Sequence, residues 1–144
     1  MRFTLIILFL TVTSLAKGQT IDGSKIRFDG FYKTKAEVYK QDNDTTYGYL
    51  RFYSTGKVIS VSSDGTANDL KAWFNLSHHS VSVGNYKIIG KRLYFPTTEK
   101  EGGGTVIYKG RIKNQYYLVL RSKSLINGYR DREKFYFVAV PDLN

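Results

Sequence analysis

Apolar and polar residues alternate in short runs along residues 28–140 of this chain, and turn residues separate the runs. A two-residue period is that of a β-strand, whose successive side chains point to opposite faces of a sheet. Residues 46–53 and 57–62, joined by Ser54-Thr55-Gly56, therefore predict a hairpin with a tight turn. In all, the pattern predicts eight strands, over residues 28–39, 46–53, 57–62, 82–89, 92–96, 105–112, 115–122 and 134–140.

One segment has a helical period instead. Leu70, Trp73 and Phe74 are spaced i, i+3 and i+4 within residues 66–77, and Thr66 stands before them as a capping residue. We expect one short amphipathic helix here, whose apolar side packs on the core as a lid.

The order of these elements indicates the fold class. No helices connect successive strands, so the sheet is predicted to be antiparallel. Eight meandering strands close most economically into a barrel, which removes exposed edges and has room inside for side chains or one small ligand. The 12 tyrosines and 9 phenylalanines lie mainly in the strands, often on both faces, which favours a closed and partly hollow form. A two-sheet β-sandwich is the alternative.

The amino-terminal residues have a different pattern. Arg2 is followed by an apolar run over residues 5–12 and by the small residues Ser14, Ala16 and Gly18, which is typical of a secretory signal peptide. The run is shorter than the ~20 residues of a spanning helix, and cleavage is expected after Ala16 or Gly18. The chain is therefore divided into a signal peptide (1–18), a flexible segment (19–27) and a β-barrel domain (28–141), and we expect a secreted or periplasmic protein with no membrane-spanning segment after cleavage.

The cysteine content and the net charge limit the kinds of site and of partner that the protein can have. The chain has no cysteine, which excludes disulfides, thiolate metal sites and a lipid anchor on an amino-terminal thiol. Removing Arg2 and Lys17 with the leader from 22 basic residues leaves 20 against 12 acidic ones, a net charge of +8. Such a charge favours anionic partners, and export argues against nucleic acid and for an anionic envelope component. Solubility alone is the alternative explanation of the charge.

The segment Asp29-Gly30-Phe31-Tyr32 resembles the Gly-x-Trp signature of lipocalins, with tyrosine in place of tryptophan. On this motif and the strand count, the chain resembles the calycin-like barrels, the group of lipocalins and fatty-acid-binding proteins. The resemblance implies a barrel base closed by Gly30, Tyr32 and an arginine near the last strand, either Arg130 or Arg132, and it implies a small hydrophobic ligand. Residues 49–63 are also similar to short exported bacterial proteins of no assigned activity.

Arginine flanked by tyrosine is the pattern with the most chemical content. Tyr49, Arg51 and Tyr53 share one face of a predicted strand, and Tyr117 and Arg121 share a face of another. Pointing inward, such groups could hold a ligand carboxylate by charge-assisted hydrogen bonds. Pointing outward, they would form a solvated stacked array. The candidate ligand-binding residues are Tyr49, Arg51, Tyr53, Trp73, Phe74, Tyr117 and Arg121.

No catalytic or metal-binding set is predicted. His78 and His79 are adjacent, point oppositely in an extended chain and lack a nearby carboxylate. Neither a nucleophile elbow nor a phosphate-binding loop is present in the sequence. We therefore expect a protein that is no enzyme and carries no cofactor, and that holds a small hydrophobic or amphipathic ligand in a lipocalin-like barrel. The alternative is a non-catalytic envelope or secreted interaction protein with a solid barrel, which binds an anionic surface or inhibits a hydrolase.

Overall fold

The computed structural model describes residues 25–35, 37–38 and 45–143, and for residues 37 and 38 only the backbone. The predicted signal peptide and residues 19–24 of the predicted flexible segment lie outside the described residues. Residues 25–27 of that segment lie inside them, and Ile26 is completely buried in the core. Packing of the domain therefore begins before residue 28.

The described chain forms strands joined by turns and loops. The strands are β1 (Gly30–Lys33), β2 (Glu37–Val38), β3 (Thr45–Phe52), β4 (Lys57–Ser63), β5 (Ser82–Asn85), β6 (Lys87–Ile89), β7 (Arg92–Glu99), β8 (Thr105–Asn114), β9 (Tyr117–Ser124) and β10 (Arg130–Ala139).

Eight of these strands close into an antiparallel ring, in the order β1-β10-β9-β8-β7-β5-β4-β3. β1 and β3 complete the ring, with Tyr32 opposite Leu50 and Lys33 opposite Tyr49. β6 pairs with β7 directly after β5, and β2 pairs with β3 outside the ring. The predicted eight-stranded antiparallel barrel is confirmed, and its closure excludes the sandwich.

The short helix predicted over residues 66–77 is wrong, and the structure contains no helix within the described ranges. Two i→i−4 hydrogen bonds form, from Leu70 N–H to the Thr66 carbonyl and from Phe74 N–H to the Leu70 carbonyl. Between them the bonds are i→i−3, as from Trp73 N–H to the Leu70 carbonyl, so the segment is a series of turns. The described part of the chain accordingly offers no helix of sufficient length and apolarity to cross a membrane.

The interior of the barrel is filled by aromatic and aliphatic side chains at the end where β1 begins. Phe52 lies at the centre of this inner core and makes edge-to-face contacts with Tyr32, Tyr86 and Phe95, with ring centroids 5.6, 5.1 and 5.5 Å away. All four side chains are 5% exposed or less. Burial raises the pKa of both Tyr32 and Tyr86 to about 12, because the phenolate is disfavoured away from water.

A second apolar cluster lies outside the ring, on the wall formed by β1, β3 and β4. The outward side chains Phe31, Tyr49 and Ile59 are fully buried there, because residues 64–81 pack over them. We call residues 64–81 the covering segment. These strands thus have apolar residues on both faces, which explains why aromatic residues fail to alternate strictly with polar ones.

Candidate functional site

The residues expected to close the barrel base meet only in part. Gly30 and Tyr32 lie where β1 pairs with the end of β10, and Gly30 is opposite Ala139. Arg130 begins β10 at its other end, and both Arg130 and Arg132 are exposed on the outer surface. The structure therefore does not bring either predicted arginine to Gly30 and Tyr32, because both arginines lie at the first end of β10 and Gly30 and Tyr32 pair with its last residues.

Arg27 is the arginine that lies at this end. Its guanidinium is 4.1 Å from the centre of the Phe137 ring, and its Nε donates to the Asp29 carboxylate at 3.0 Å. The hydroxyl of Tyr32 accepts the Arg27 backbone N–H at 3.0 Å and donates to the Gln115 carbonyl at 2.8 Å. These contacts fix the chain entering β1 to the turn between β8 and β9, so they serve the fold.

Position 30 requires a residue without a side chain. A Cβ atom at Gly30 would lie 2.1 Å from the Val138 carbonyl oxygen and 2.8 Å from the Phe137 ring. Glycine is therefore needed for β1 and β10 to approach closely.

Four of the candidate ligand-binding residues come together where the covering segment meets the outer side of β3. They are Tyr49, Arg51, Tyr53 and Phe74. Arg51 Nη1 donates to the Phe74 carbonyl at 2.7 Å, and the Tyr53 hydroxyl donates to the same oxygen at 2.6 Å. The Tyr49 hydroxyl donates to the Gly65 carbonyl at 2.6 Å. Arg51 is 5% exposed, and its guanidinium lies 4.5 Å from the centre of the Tyr53 ring. The group thus attaches the covering segment to the barrel wall.

Phe74 and Trp73 have different surroundings although they are neighbours. Phe74 is 1% exposed and stacks on Phe31, with ring centroids 4.0 Å apart. Trp73 is 42% exposed and stacks on His78 at the surface. Among the described residues, no three histidine or carboxylate side chains lie close enough to hold a metal ion.

Tyr117 and Arg121 lie on the opposite wall of the ring, on β9. The covering segment leaves that wall bare, and its outward positions carry basic side chains. We call this surface of β7–β10 the cationic face. Its basic residues are Arg92, Lys109, Arg111, Arg121, Lys123, Arg130, Arg132 and Lys134.

The strand register places these cations directly beside one another. Lys109 is opposite Arg121, and Arg121 is opposite Arg132, so three cations cross β8, β9 and β10 in one row. In the next row towards the carboxyl end of β9, Lys123 is opposite Arg130. Adjacent strands are about 4.8 Å apart, so these side chains leave the sheet next to one another. Like charges directly opposite in an antiparallel pair destabilise the sheet.

Carboxylates do not offset this charge on the outward side. Asp131 and Glu133 alternate with the basic residues of β10 and share the inner side with Phe135, which is buried in the barrel. Asp131 borders the face, but one carboxylate oxygen accepts the backbone N–H of Arg132 at 2.6 Å. A bound anion would therefore attract the neighbouring Lys and Arg side chains of the cationic face, which otherwise repel one another.

Two open hollows lie along the cationic face, with volumes of about 450 and 730 Å³. Lys109, Arg121 and Arg132 line both of them. The hollows are shallow depressions between long basic side chains on a flat wall. This geometry suits several anionic groups spread over a surface.

Arg121 was predicted from the sequence as a ligand-binding residue together with Tyr117, whereas the cationic face as a whole was not predicted. A signal for it was present, since basic residues recur at every second position in three neighbouring strands: Lys109 and Arg111, Arg121 and Lys123, Arg130 and Arg132. Two-residue spacing puts each pair on one face of its strand.

Neither a protein-family model, a curated protein nor a solved structure significantly matches this chain.

Replacing Phe74 by alanine should destabilise the protein by about 3–5 kcal/mol, because it removes a buried ring between the covering segment and the wall. The change Trp73→Ala in the same segment should cost less, about 1 kcal/mol, because Trp73 is 42% exposed and its ring stacks on His78 at the surface. The free energy of unfolding in urea measures both. Equal losses would contradict the packing described for the covering segment.

Replacing Arg121 by glutamine should stabilise the fold by about 0.2–1 kcal/mol, because it relieves repulsion from both neighbours in its row. The thermal midpoint should rise at low ionic strength, and the gain should shrink as salt screens the charges. Lys71→Gln, on the covering segment, is the control and should leave the midpoint nearly unchanged. A lower midpoint for Arg121→Gln would show that this row is not under electrostatic strain.

Proposed function

We propose that this chain is an exported, non-catalytic binding protein that binds a phosphate-bearing anionic component of the cell envelope through its cationic face. The observation that carries the proposal is the row Lys109, Arg121 and Arg132, three cations side by side with no outward carboxylate between them. The predicted signal peptide supports an envelope or exterior location.

Phosphate is the anionic group that the face suits best. Five of its eight basic residues are arginines, whose planar guanidinium binds phosphate oxygens through two parallel hydrogen bonds. Arg121 and Arg132 are direct cross-strand neighbours, so a single phosphate between them can accept bonds from both.

The extent of the face favours a partner with repeated charges. Its cations cover four adjacent strands and at least two rows, which exceeds the reach of one small carboxylate ligand. Lipid head groups and phosphate-containing envelope polymers both present charges at comparable intervals. Long-range attraction from such a face also speeds association at low ionic strength.

A second candidate function is the binding of a small ligand inside the ring, as in calycin-like barrels, with which the closed eight-stranded ring is compatible. Inside the ring, the Ser60 hydroxyl lies 3.1 Å from that of Tyr108. The hydroxyl of Thr97 is buried without a hydrogen-bond partner among the described residues, and it would bond a polar ligand atom. Native mass spectrometry of the protein from its own cells should then show an added small mass. A spectrum of the bare chain would exclude this candidate.

Charge reversal tests the proposed cationic face. R121E/R132E should weaken binding to phosphatidylglycerol vesicles and to long-chain polyphosphate by at least about tenfold, because each basic residue near an anionic surface contributes about 1 kcal/mol. Wild-type binding should itself weaken as salt is added.

The control is K57E/K71E, which changes the net charge equally but lies on β4 and the covering segment, on the opposite wall. It should retain most of the binding. Equal losses in the two variants would mean that net charge alone attracts the partner, and undiminished binding by R121E/R132E would overturn the proposal.

A further inference from the structure

We propose that the loop between β9 and β10, residues 125–129, inserts into the interface of an anionic lipid bilayer while the adjoining end of the cationic face binds the head groups. This inference rests on the proposed function and narrows its partner to a membrane surface.

The loop exposes large apolar side chains. Leu125, Ile126 and Tyr129 are 52, 77 and 64% exposed. Three such residues within five positions form an apolar tip, whereas single exposed apolar residues are common on soluble proteins. Ile126 lies against Gly104 of the loop between β7 and β8, yet contacts within the described chain leave most of the tip uncovered.

Hydrogen bonds hold the loop in shape without burying these side chains. Ser124 N–H donates to the Tyr129 carbonyl at 2.9 Å, and Gly128 N–H donates to the Ser124 carbonyl at 3.1 Å. Leu125 N–H donates to the Thr105 carbonyl of β8 at 2.8 Å. Gly128 has a φ of 72°, a conformation that favours glycine. The tip is therefore preformed, and little ordering is needed when a partner covers it.

The apolar tip continues directly from the cationic face. Lys123 and Arg130 are paired across β9 and β10, and the loop begins at Leu125, two residues after Lys123. Two strand residues span about 6.6 Å, and interfacial apolar groups sit about 5–10 Å below the head groups. With the tip inserted, Lys123 and Arg130 would therefore lie at the level of the lipid phosphates.

This combination favours a bilayer over a soluble polyanion. A hydrated polyphosphate or polysaccharide chain can neutralise the cations, but it has no apolar layer to cover Leu125 and Ile126. A tyrosine beside them suits the interface, where its ring is apolar and its hydroxyl stays hydrated.

Binding to two partners, a lipid vesicle and a soluble polyanion, distinguishes membrane insertion from simple charge attraction. The protein is used as its own cell produces it. Binding of wild type and L125S/I126S is measured on phosphatidylcholine vesicles containing phosphatidylglycerol, and in parallel on long-chain polyphosphate. We expect vesicle binding to fall by at least about tenfold, since burial of two large aliphatic side chains is lost, with polyphosphate binding unchanged. The matched control I89S/Y116S alters two exposed apolar residues at the other end of the barrel, one at the end of β6 and one in the turn between β8 and β9. It should bind vesicles as wild type does.

A spectroscopic measurement reports insertion independently of affinity. In W73F/Y129W, the indole moved into the loop should shift its emission to the blue on vesicle addition and be quenched by brominated lipid. Polyphosphate should produce neither change.

The outcomes separate the two proposals. Unchanged vesicle binding by L125S/I126S, together with an unquenched indole, overturns membrane insertion while the cationic face keeps its polyphosphate binding. If wild type binds neither vesicles nor polyphosphate, the proposed function fails as well.

Discussion

The pairing of β1 with β3 is the constraint on which the rest of the structure depends. Tyr32 opposite Leu50 and Lys33 opposite Tyr49 convert a meander with two free edges into a closed ring. Closure gives every strand one inner and one outer face, and it lets Tyr32 and Leu50 enter the same core as Phe52. The close approach of β1 to β10 on its other side requires Gly30. A change in this region would therefore weaken the pairing of β1, a strand of only four residues, with both of its neighbours in the ring.

Once the ring is closed, its outer surface divides into two walls of opposite character. The wall of β1, β3 and β4 is apolar, and the covering segment shields it through Phe74 and the hydrogen bonds from Arg51, Tyr53 and Tyr49. The wall of β7–β10 is basic, and its outward basic side chains are exposed. Packing and hydrogen bonds within the chain account for most of the first wall, where Tyr49, Arg51 and Tyr53 all donate to backbone carbonyls. They do not account for the second, where neighbouring cations repel one another.

The sequence predicted the strand pattern and the barrel because a two-residue period is local information. It also put Tyr49, Arg51 and Tyr53 on one face, but it could not say which face, since β3 is apolar on both sides. The prediction of a helix over residues 66–77 was wrong for a related reason. Leu70 and Phe74 have helical spacing, yet their side chains are directed by contacts with a wall formed by distant residues, and the backbone adopts turns that suit those contacts. The expectation that Arg130 closes the base was wrong because Gly30 pairs with Ala139, at the opposite end of β10 from Arg130, and this pairing is not local information.

The cationic face bears on function because it works against stability. Lys109 lies over the ring of Tyr94 in the same row, 5.5 Å from its centre, but three adjacent cations also repel one another across β8, β9 and β10. Solubility alone requires net charge but does not require that the charge be concentrated on one wall. Asp131 and Glu133 follow basic residues directly along β10, but they point to the inner side and so do not neutralise the cations of this wall. A local cost of this kind is characteristic of binding surfaces, whose charges are satisfied by a partner.

The apolar tip at the end of the same wall has the same property, because water is a poor solvent for Leu125 and Ile126 and nothing in the barrel needs them exposed. Both departures from a stable surface meet at Lys123 and Arg130, and a bilayer interface, charged above and apolar below, satisfies both at once.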